Sequence, residues 1–188
     1  NLLKMAELGL PVPPAIVIGT HYTNSPNQSL APLHAITLPI LEDICGKKLG
    51  CSKNPLILSV RSGAPISMPG MMETLLNIGL CDNTLSGFLR QTGNPRLVWD
   101  SYRRLISTYG EVVENINPAI FEKEIYAITQ GSDERLMSFD DLRSLSNNFL
   151  IAYQAACGRP FPQDVDEQLR GAILAVFSSW NSEKAKQY

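Results

Sequence analysis

The chain has 188 residues, 44% hydrophobic and 18% charged, which is the composition of an ordinary globular protein rather than of a disordered segment. Its formal net charge of -2 gives no basis for binding nucleic acid or an anionic membrane surface. No apolar run approaches the roughly 20 residues of a membrane span, no signal peptide is visible, and the four cysteines form no C-x-x-C pair, so we expect a soluble cytoplasmic protein with reduced thiols.

The first part of the chain predicts a mixture of short helices and strands. Residues 2–8 have the pattern of the end of a helix that Gly9 stops, and residues 15–19 are predicted to form a strand. Residues 33–45 are predicted to be helical, with Gly46 as the C-cap.

Two further strands are expected before the helical part of the chain. Residues 56–60 form a short apolar run behind Pro55, which is typical of a largely buried strand. Residues 75–80 are predicted to form a second short strand, ended by a turn at Asp82 and Asn83.

From Pro95 onward the apolar residues recur with a period of 3.6 and predict four helices. Ser138 with Asp141 resembles an N-cap that opens the third helix, and Gly131 and Gly158 are expected to end the second and third. The four apolar faces are Val98, Tyr102, Leu105, Tyr109 and Val112; Phe121, Ile125 and Ile128; Leu142, Leu145, Phe149 and Tyr153; and Leu169, Ile173, Val176, Phe177 and Trp180. The predicted fold class is α+β, with helix content above average.

The segment of residues 58–74, LSVRSGAPISMPGMMET, is the strongest candidate for a functional site. Arg61 stands at the carboxyl end of the predicted strand, and the small residues after it allow an anionic ligand to approach the backbone closely. Arginine offers a planar fork of donors that matches phosphate or carboxylate. A structural salt bridge for this arginine stays open, as does a core-filling role for the three methionines.

Two other charged pairs need an interpretation. Arg103 and Arg104 lie beside the apolar stripe of the helix that follows Pro95, so at least one of them should be partly shielded; a solvated face or a snorkelling stem is the alternative. Asp140 and Asp141 suggest metal binding, but the start of a helix also explains acidic residues there.

Four strings of the sequence resemble the nucleotide-binding domain of pyruvate phosphate dikinase, in the order of that family and over nearly the whole chain. They are NLLKMAELGLPVPPAIVI, SVRSGAPISMPGMMETLLNIGL, GNPRLVWDSYRRLISTYGEVV and GRPFPQDVDEQLRGAILAVFSSWNSEKAKQY. The related phosphoenolpyruvate synthase and rifampicin phosphotransferase carry an acidic RSSATAED-type sequence after the same arginine. This chain has GAPISMPGMMET there, so the dikinase is the better match.

The resemblance implies a fold and a reaction. The fold is part of an ATP-grasp domain, with residues 1–94 as its N-terminal mixed part and residues 95–188 as a helical subdomain. In this family ATP and inorganic phosphate give AMP and pyrophosphate while a histidine of a swivelling domain is phosphorylated. That phosphohistidine then converts pyruvate, bound in a barrel domain, to phosphoenolpyruvate. ATP and those two domains are the implied partners, in a homodimeric parent protein.

The resemblance also implies roles for individual residues. Arg61 corresponds to the strand-end arginine that contacts the ATP phosphates and is the proposed catalytic residue. Gly70 and Met72 correspond to loop positions that close over the nucleotide. Arg104 corresponds to the second arginine of the family's YRR element, which lies at the nucleotide site.

Departures from the family pattern imply a fragment that does not complete the reaction alone. The glycine-flanked lysine of the family would fall before Asn1, and the acidic ligands of Mg²⁺ would follow Tyr188, so the implied cofactor is ATP with Mg²⁺ bound by residues elsewhere. Neither His21 nor His34 lies in a TSH-type segment. The alternatives are the ATP-binding part of a related dikinase, such as phosphoenolpyruvate synthase, and a non-catalytic nucleotide-binding module.

Overall fold

The computed structural model describes residues 2–62 and 74–180, in which helices far outnumber strands. The described α-helices are α1 (Leu2–Glu7), α2 (Asn27–Pro32), α3 (Leu38–Cys45), α4 (Asp82–Thr92), α5 (Pro95–Val113), α6 (Ala119–Thr129), α7 (Phe139–Cys157) and α8 (Val165–Trp180). A π-helical turn at Leu33–Thr37 joins α2 to α3, and 3-10 turns lie at Thr20–Tyr22 and Glu134–Leu136. The strands are β1 (Leu58–Arg61) and β2 (Thr74–Ile78). This is the helix-rich α+β arrangement that the sequence predicts.

The two strands pair antiparallel, and helices cover one face of the pair. Leu58 pairs with Ile78 and Arg61 with Thr74, with an irregularity in register near the start of β1. Leu75 and Ile78 are fully buried, and α5 and α8 pack against β2. Because a two-stranded sheet is marginal in water by itself, this packing stabilises the pair.

Helix α5 is the element around which the described chain is organised, since it packs against α4, α7, α8 and β2. It begins at Pro95, and the Asn94 side chain accepts a hydrogen bond from the backbone N–H of Leu97 at 3.0 Å, which caps the first turn. Its buried apolar face consists of Val98, Tyr102, Leu105, Ile106 and Tyr109. The helix predicted after Pro95 is therefore confirmed.

Three tyrosines converge on the ring of Phe161, which lies in the connection between α7 and α8. The rings of Tyr102, Tyr109 and Tyr153 stand edge-on to Phe161 with centroid distances of 6.2, 5.6 and 5.4 Å. Such edge-to-face contacts are favourable beyond the area they bury. Burial raises the pKa of each tyrosine far above its usual value, so all three stay neutral. This cluster joins α5 and α7 to the segment that leads into α8.

Helix α7 begins with the cap that the sequence predicts. The Ser138 hydroxyl accepts a hydrogen bond from the N–H of Asp141 at 3.1 Å, and the Asp141 carboxylate accepts one from the N–H of Ser138 at 2.9 Å. The helix ends at Gly158, whose φ of 76° is left-handed. The acidic pair after Ser138 therefore belongs to a helix start.

Residues 15–19 do not form the predicted strand. They have no regular secondary structure and pair with no strand in the described ranges. Ile16 and Ile18 are packed against the core while Val17 is exposed, so the side chains alternate as in a strand. The prediction was wrong because an extended segment can bury every second side chain without pairing with a neighbouring strand.

The predicted turn at Asp82 and Asn83 is also wrong, since these residues begin α4. The Thr84 hydroxyl accepts a hydrogen bond from the N–H of Cys81 at 2.9 Å, which satisfies a backbone donor at the start of the helix. Asp and Asn favour both turns and helix starts, so the pair by itself did not distinguish them.

The strand predicted at residues 56–60 is displaced and less buried than expected. β1 begins at Leu58, and its residues alternate between half-buried and exposed positions. Leu56 is buried, but it precedes the strand. The second strand lies close to its predicted position.

All four cysteines are free thiols. Among the residues that the structure describes, no helix combines the length and the apolar character needed to cross a bilayer.

Candidate functional site

Arg61 is the last residue of β1, and its side chain is exposed. Its partner across the pair is Thr74, the first residue of β2. No acidic side chain within residues 2–62 and 74–180 forms an ion pair with Arg61. A guanidinium in this position is able to donate to an anionic ligand.

The segment between these two residues starts and ends at neighbouring positions, because Arg61 and Thr74 are paired. Gly70 and Met72, which the sequence assigns to this segment, lie outside the described residues. Their roles therefore stay predictions. The structure fixes the two ends from which the segment extends.

The opposite end of the strand pair is held by Gln168 of α8, which is fully buried. Its Oε1 accepts a hydrogen bond from the N–H of Gly79 at 3.0 Å. Its Nε2 donates to the carbonyl oxygens of Leu80 at 3.0 Å and Pro162 at 2.8 Å. The side-chain amide thus connects the end of β2 with the segment that precedes α8.

Sequence reasoning missed Gln168. The sequence feature that could have identified it is the spacing of four residues between Gln168, Ala172 and Val176. This spacing places a polar residue on the buried face of a helix. A buried polar side chain at such a position needs partners from other elements.

A second cationic position lies on α5, where the Asp100 carboxylate contacts two successive arginines. Its Oδ1 accepts a hydrogen bond from Nε of Arg103 at 2.8 Å, and its Oδ2 accepts one from Nε of Arg104 at 2.9 Å. Arg103 also donates to Glu134 Oε2 at 2.9 Å. The side chain of Arg103 is 5% exposed and that of Arg104 is 60% exposed, so the prediction that at least one is shielded is confirmed.

The two arginines therefore differ in what they can contact. Arg103 is enclosed by its two acidic partners and serves the packing of α5 against the turn that contains Glu134. Arg104 approaches Asp100 through Nε, and its exposure leaves the terminal nitrogens able to donate to another anion. Asp100 was not identified from the sequence, although acidic residues three and four positions before an arginine are a recognised helical pairing.

The charge state of Asp100 is set by competing effects. Burial raises the pKa of its carboxyl, but the hydrogen bonds and positive charges of Arg104 and Arg103 outweigh burial and leave the pKa below its usual value. Asp100 is therefore ionised at neutral pH.

Strand β2 contacts both of the elements that carry the candidate cations. It pairs with β1, which carries Arg61, and packs against α5, which carries Arg104. Asn77 of β2 donates from Nδ2 to the carbonyl oxygen of Ser101 at 3.2 Å, which fixes the strand to that helix. The structure places Arg61 and Arg104 on elements joined by β2, and the two side chains share no partner in the part of the chain that it describes.

Two other features do not coincide with these arginines. An open groove of about 1070 Å³ lies between the end of α5, the segment that leads into α6, and α8, and neither Arg61 nor Arg104 lines it. In the described ranges, no group of three or more His, Cys, Asp or Glu side chains is arranged to hold a metal ion.

Comparison with known proteins finds relatives that match the whole chain. The whole chain is 42% identical over 201 residues to a pyruvate, phosphate dikinase of Clostridium symbiosum, 40% identical over 198 residues to pyruvate, phosphate dikinase 2 of Zea mays, and 39% identical over 198 residues to a pyruvate, phosphate dikinase of Rhizobium meliloti (strain 1021). The chain covers 23%, 22% and 22% of these relatives. No protein-family model matches it. The chain is thus similar along its whole length to pyruvate, phosphate dikinases and spans less than a quarter of the length of these relatives.

Proposed function

We propose that the chain forms part of the ATP-binding portion of a pyruvate, phosphate dikinase, within an ATP-grasp domain. The observation that carries the proposal is similarity of about 40% identity along the whole chain to proteins of that name. The reaction proposed for the complete protein converts ATP, phosphate and pyruvate to AMP, pyrophosphate and phosphoenolpyruvate through a phosphohistidine.

The geometry of Arg61 supports an ATP-binding role. It is exposed at a strand end, has no ion-pair partner in the described residues and borders the glycine- and methionine-containing segment. Phosphoryl transfer is catalysed largely by positioning the reactants and stabilising charge on the transferred group. Arg61 is the residue proposed to neutralise phosphate charge, with Gly70 and Met72 closing over the nucleotide.

Arg104 is the second proposed contact to the nucleotide. Its exposure and its Nε pairing with Asp100 leave donors available in a side chain that is already oriented. Arg103, its neighbour, is proposed to have only a structural role because its side chain is buried and its donors are directed to two half-buried carboxylates.

The remaining parts of the reaction are assigned to other regions of the parent protein. Residues 1–94 are proposed to supply the mixed part of the domain and residues 95–188 its helical subdomain. The phosphohistidine domain, the pyruvate-binding barrel and the second subunit of a homodimer are the proposed partners, in the cytoplasm. The described residues hold no acidic cluster that fits Mg²⁺, so none of them is assigned as its ligand.

The test uses the protein that carries this sequence, assayed with ATP and pyruvate, with and without inorganic phosphate. Phosphoenolpyruvate formed together with pyrophosphate, and only when phosphate is supplied, is the expected result. Formation without added phosphate, with release of phosphate rather than pyrophosphate, would assign the chain to a phosphoenolpyruvate synthase type of enzyme. Nucleotide binding without any product would instead favour a binding module.

A further inference from the structure

We propose that Gln168 is a positioning residue for the nucleotide site, acting on Arg61 through the β1–β2 pair. The inference rests on the proposed role of Arg61 in binding ATP. Gln168 belongs to α8, lies 107 positions beyond Arg61 in the sequence numbering and is fully buried. It holds the end of β2 opposite to the end at which Arg61 and Thr74 are paired.

The side-chain amide of Gln168 forms hydrogen bonds with three backbone groups. It accepts one hydrogen bond, from Gly79, and donates two, to Leu80 and Pro162. This uses one acceptor and both donors of a glutamine side chain. An aliphatic residue of the same size would leave three backbone groups unpaired, and an ionised carboxylate would face two carbonyl oxygens without a donor.

Gly79, which follows β2, contacts several other segments of the chain. Its N–H donates to Gln168, and its carbonyl oxygen accepts a hydrogen bond from the Thr84 hydroxyl at 2.8 Å. A Cβ at this position would lie 2.8 Å from the carbonyl oxygen of Leu56, so the chain before β1 also passes close to it. Movement of Gly79 would therefore be transmitted to both strands.

The pairing of the strands does not by itself fix the position of Arg61. β1 and β2 have four and five residues, and their register is irregular between Leu58 and Val60. A slip of one residue in a strand turns every side chain to the other face. Polar contacts of Asn77 with α5, and of Gly79 with Thr84 and Gln168, help to hold β2 in place. The contact between Gly79 and α8 depends on the Gln168 side chain alone.

The test is Gln168→Glu, because its effect depends on pH. Protonated glutamic acid has one acceptor and one donor and retains most of the amide's bonds, whereas the ionised form repels the carbonyl oxygens. Burial raises the pKa of such a carboxyl. ATP affinity of this variant is therefore expected to be close to wild type at about pH 6 and to fall by about tenfold towards pH 9.

Two further variants separate positioning from general loss of stability. Phe149→Leu changes a buried residue of α7, a helix that packs on α5 and α6, and is expected to keep wild-type ATP affinity over the same pH range. Gln168→Met lacks all three hydrogen bonds and is expected to bind ATP about tenfold more weakly at every pH. All variants are measured by ATP titration of the protein that carries this sequence, well below their melting temperatures.

The outcomes distinguish this inference from the proposed function. If Arg61→Ala weakens ATP binding while Gln168→Glu and Gln168→Met bind ATP as the wild type does, the proposal for Gln168 is overturned and that for Arg61 stands. If Phe149→Leu loses affinity to the same extent as the Gln168 variants, their effect is general destabilisation and the proposal is also overturned. A wild-type protein that binds no ATP would overturn both.

Discussion

Asp100 and Arg104 are paired one helical turn apart on α5, with Oδ2 of the carboxylate 2.9 Å from Nε of the guanidinium. The same carboxylate also holds the buried Arg103. Asp100 thus stabilises the interior of the protein with one oxygen and orients an exposed cation with the other. The two functions can be separated by substitution.

Asp100→Asn is predicted to lower the free energy of unfolding by about 2 kcal/mol, because the buried guanidinium of Arg103 loses a charged partner. Glu134 remains in contact with Arg103 and limits the loss. The matched control is Arg104→Gln, which removes an exposed partner of the same carboxylate and should cost less than about 1 kcal/mol. Urea unfolding of both variants checks the prediction, and equal losses would contradict it.

The stabilising effect of Asp100 is predicted to disappear in acid. Because the folded-state pKa of this carboxyl lies below its unfolded value, its contribution is present above the unfolded pKa and is lost as pH falls through the folded pKa. The difference in unfolding free energy between wild type and Asp100→Asn should therefore shrink as pH falls below about 4. A difference that stays constant from neutral pH to acid would argue against this account.

Gly79→Ala is predicted to destabilise the strand pair. Its φ is 104°, and the added Cβ would lie 2.8 Å from the Leu56 carbonyl oxygen. Strain and steric overlap should together cost more than about 2 kcal/mol. Gly93→Ala is the control, since Gly93 also has a left-handed φ, of 62°, but has open space around a Cβ; it should cost about 1 kcal/mol. Similar melting temperatures for the two variants would disprove the close approach at Gly79.

Phe161→Ala is predicted to lower the free energy of unfolding by about 3–5 kcal/mol, because it removes the ring that three tyrosines contact. Phe139→Ala is the control, since Phe139 is 44% exposed and its truncation should cost less than about 1 kcal/mol. Thermal unfolding monitored by circular dichroism distinguishes them. A small loss at Phe161 would show that the cluster can repack around the cavity.

The sequence predicted best those elements that are determined by local pattern. The third predicted helix was correct at its cap, its apolar face and its end because Ser138, Leu145 and Gly158 each act through their nearest neighbours in the chain. Residues 15–19 were wrong because a strand also needs a partner, and partners come from distant positions.

The residues of the candidate site also differ in whether local sequence pattern is enough to identify them. Arg61 was identifiable because it ends an apolar run and precedes a distinctive segment. Gln168 was not, because its three partners lie in other segments of the chain and its sequence neighbours are those of an ordinary helix. The difference in exposure between Arg103 and Arg104 likewise depends on Glu134, which the helix pattern does not contain.

The central claim is tested most directly by titrating ATP against the protein that carries this sequence and its variants Arg61→Ala and Arg61→Lys. Loss of charge-assisted hydrogen bonds to phosphate should weaken ATP binding roughly 10- to 100-fold in Arg61→Ala, with a smaller loss in Arg61→Lys, which keeps the charge without the fork. The melting temperature should not change, because Arg61 is exposed and has no ion pair with the described residues. Wild-type ATP affinity and undiminished ATP-driven phosphohistidine formation in Arg61→Ala would contradict the account.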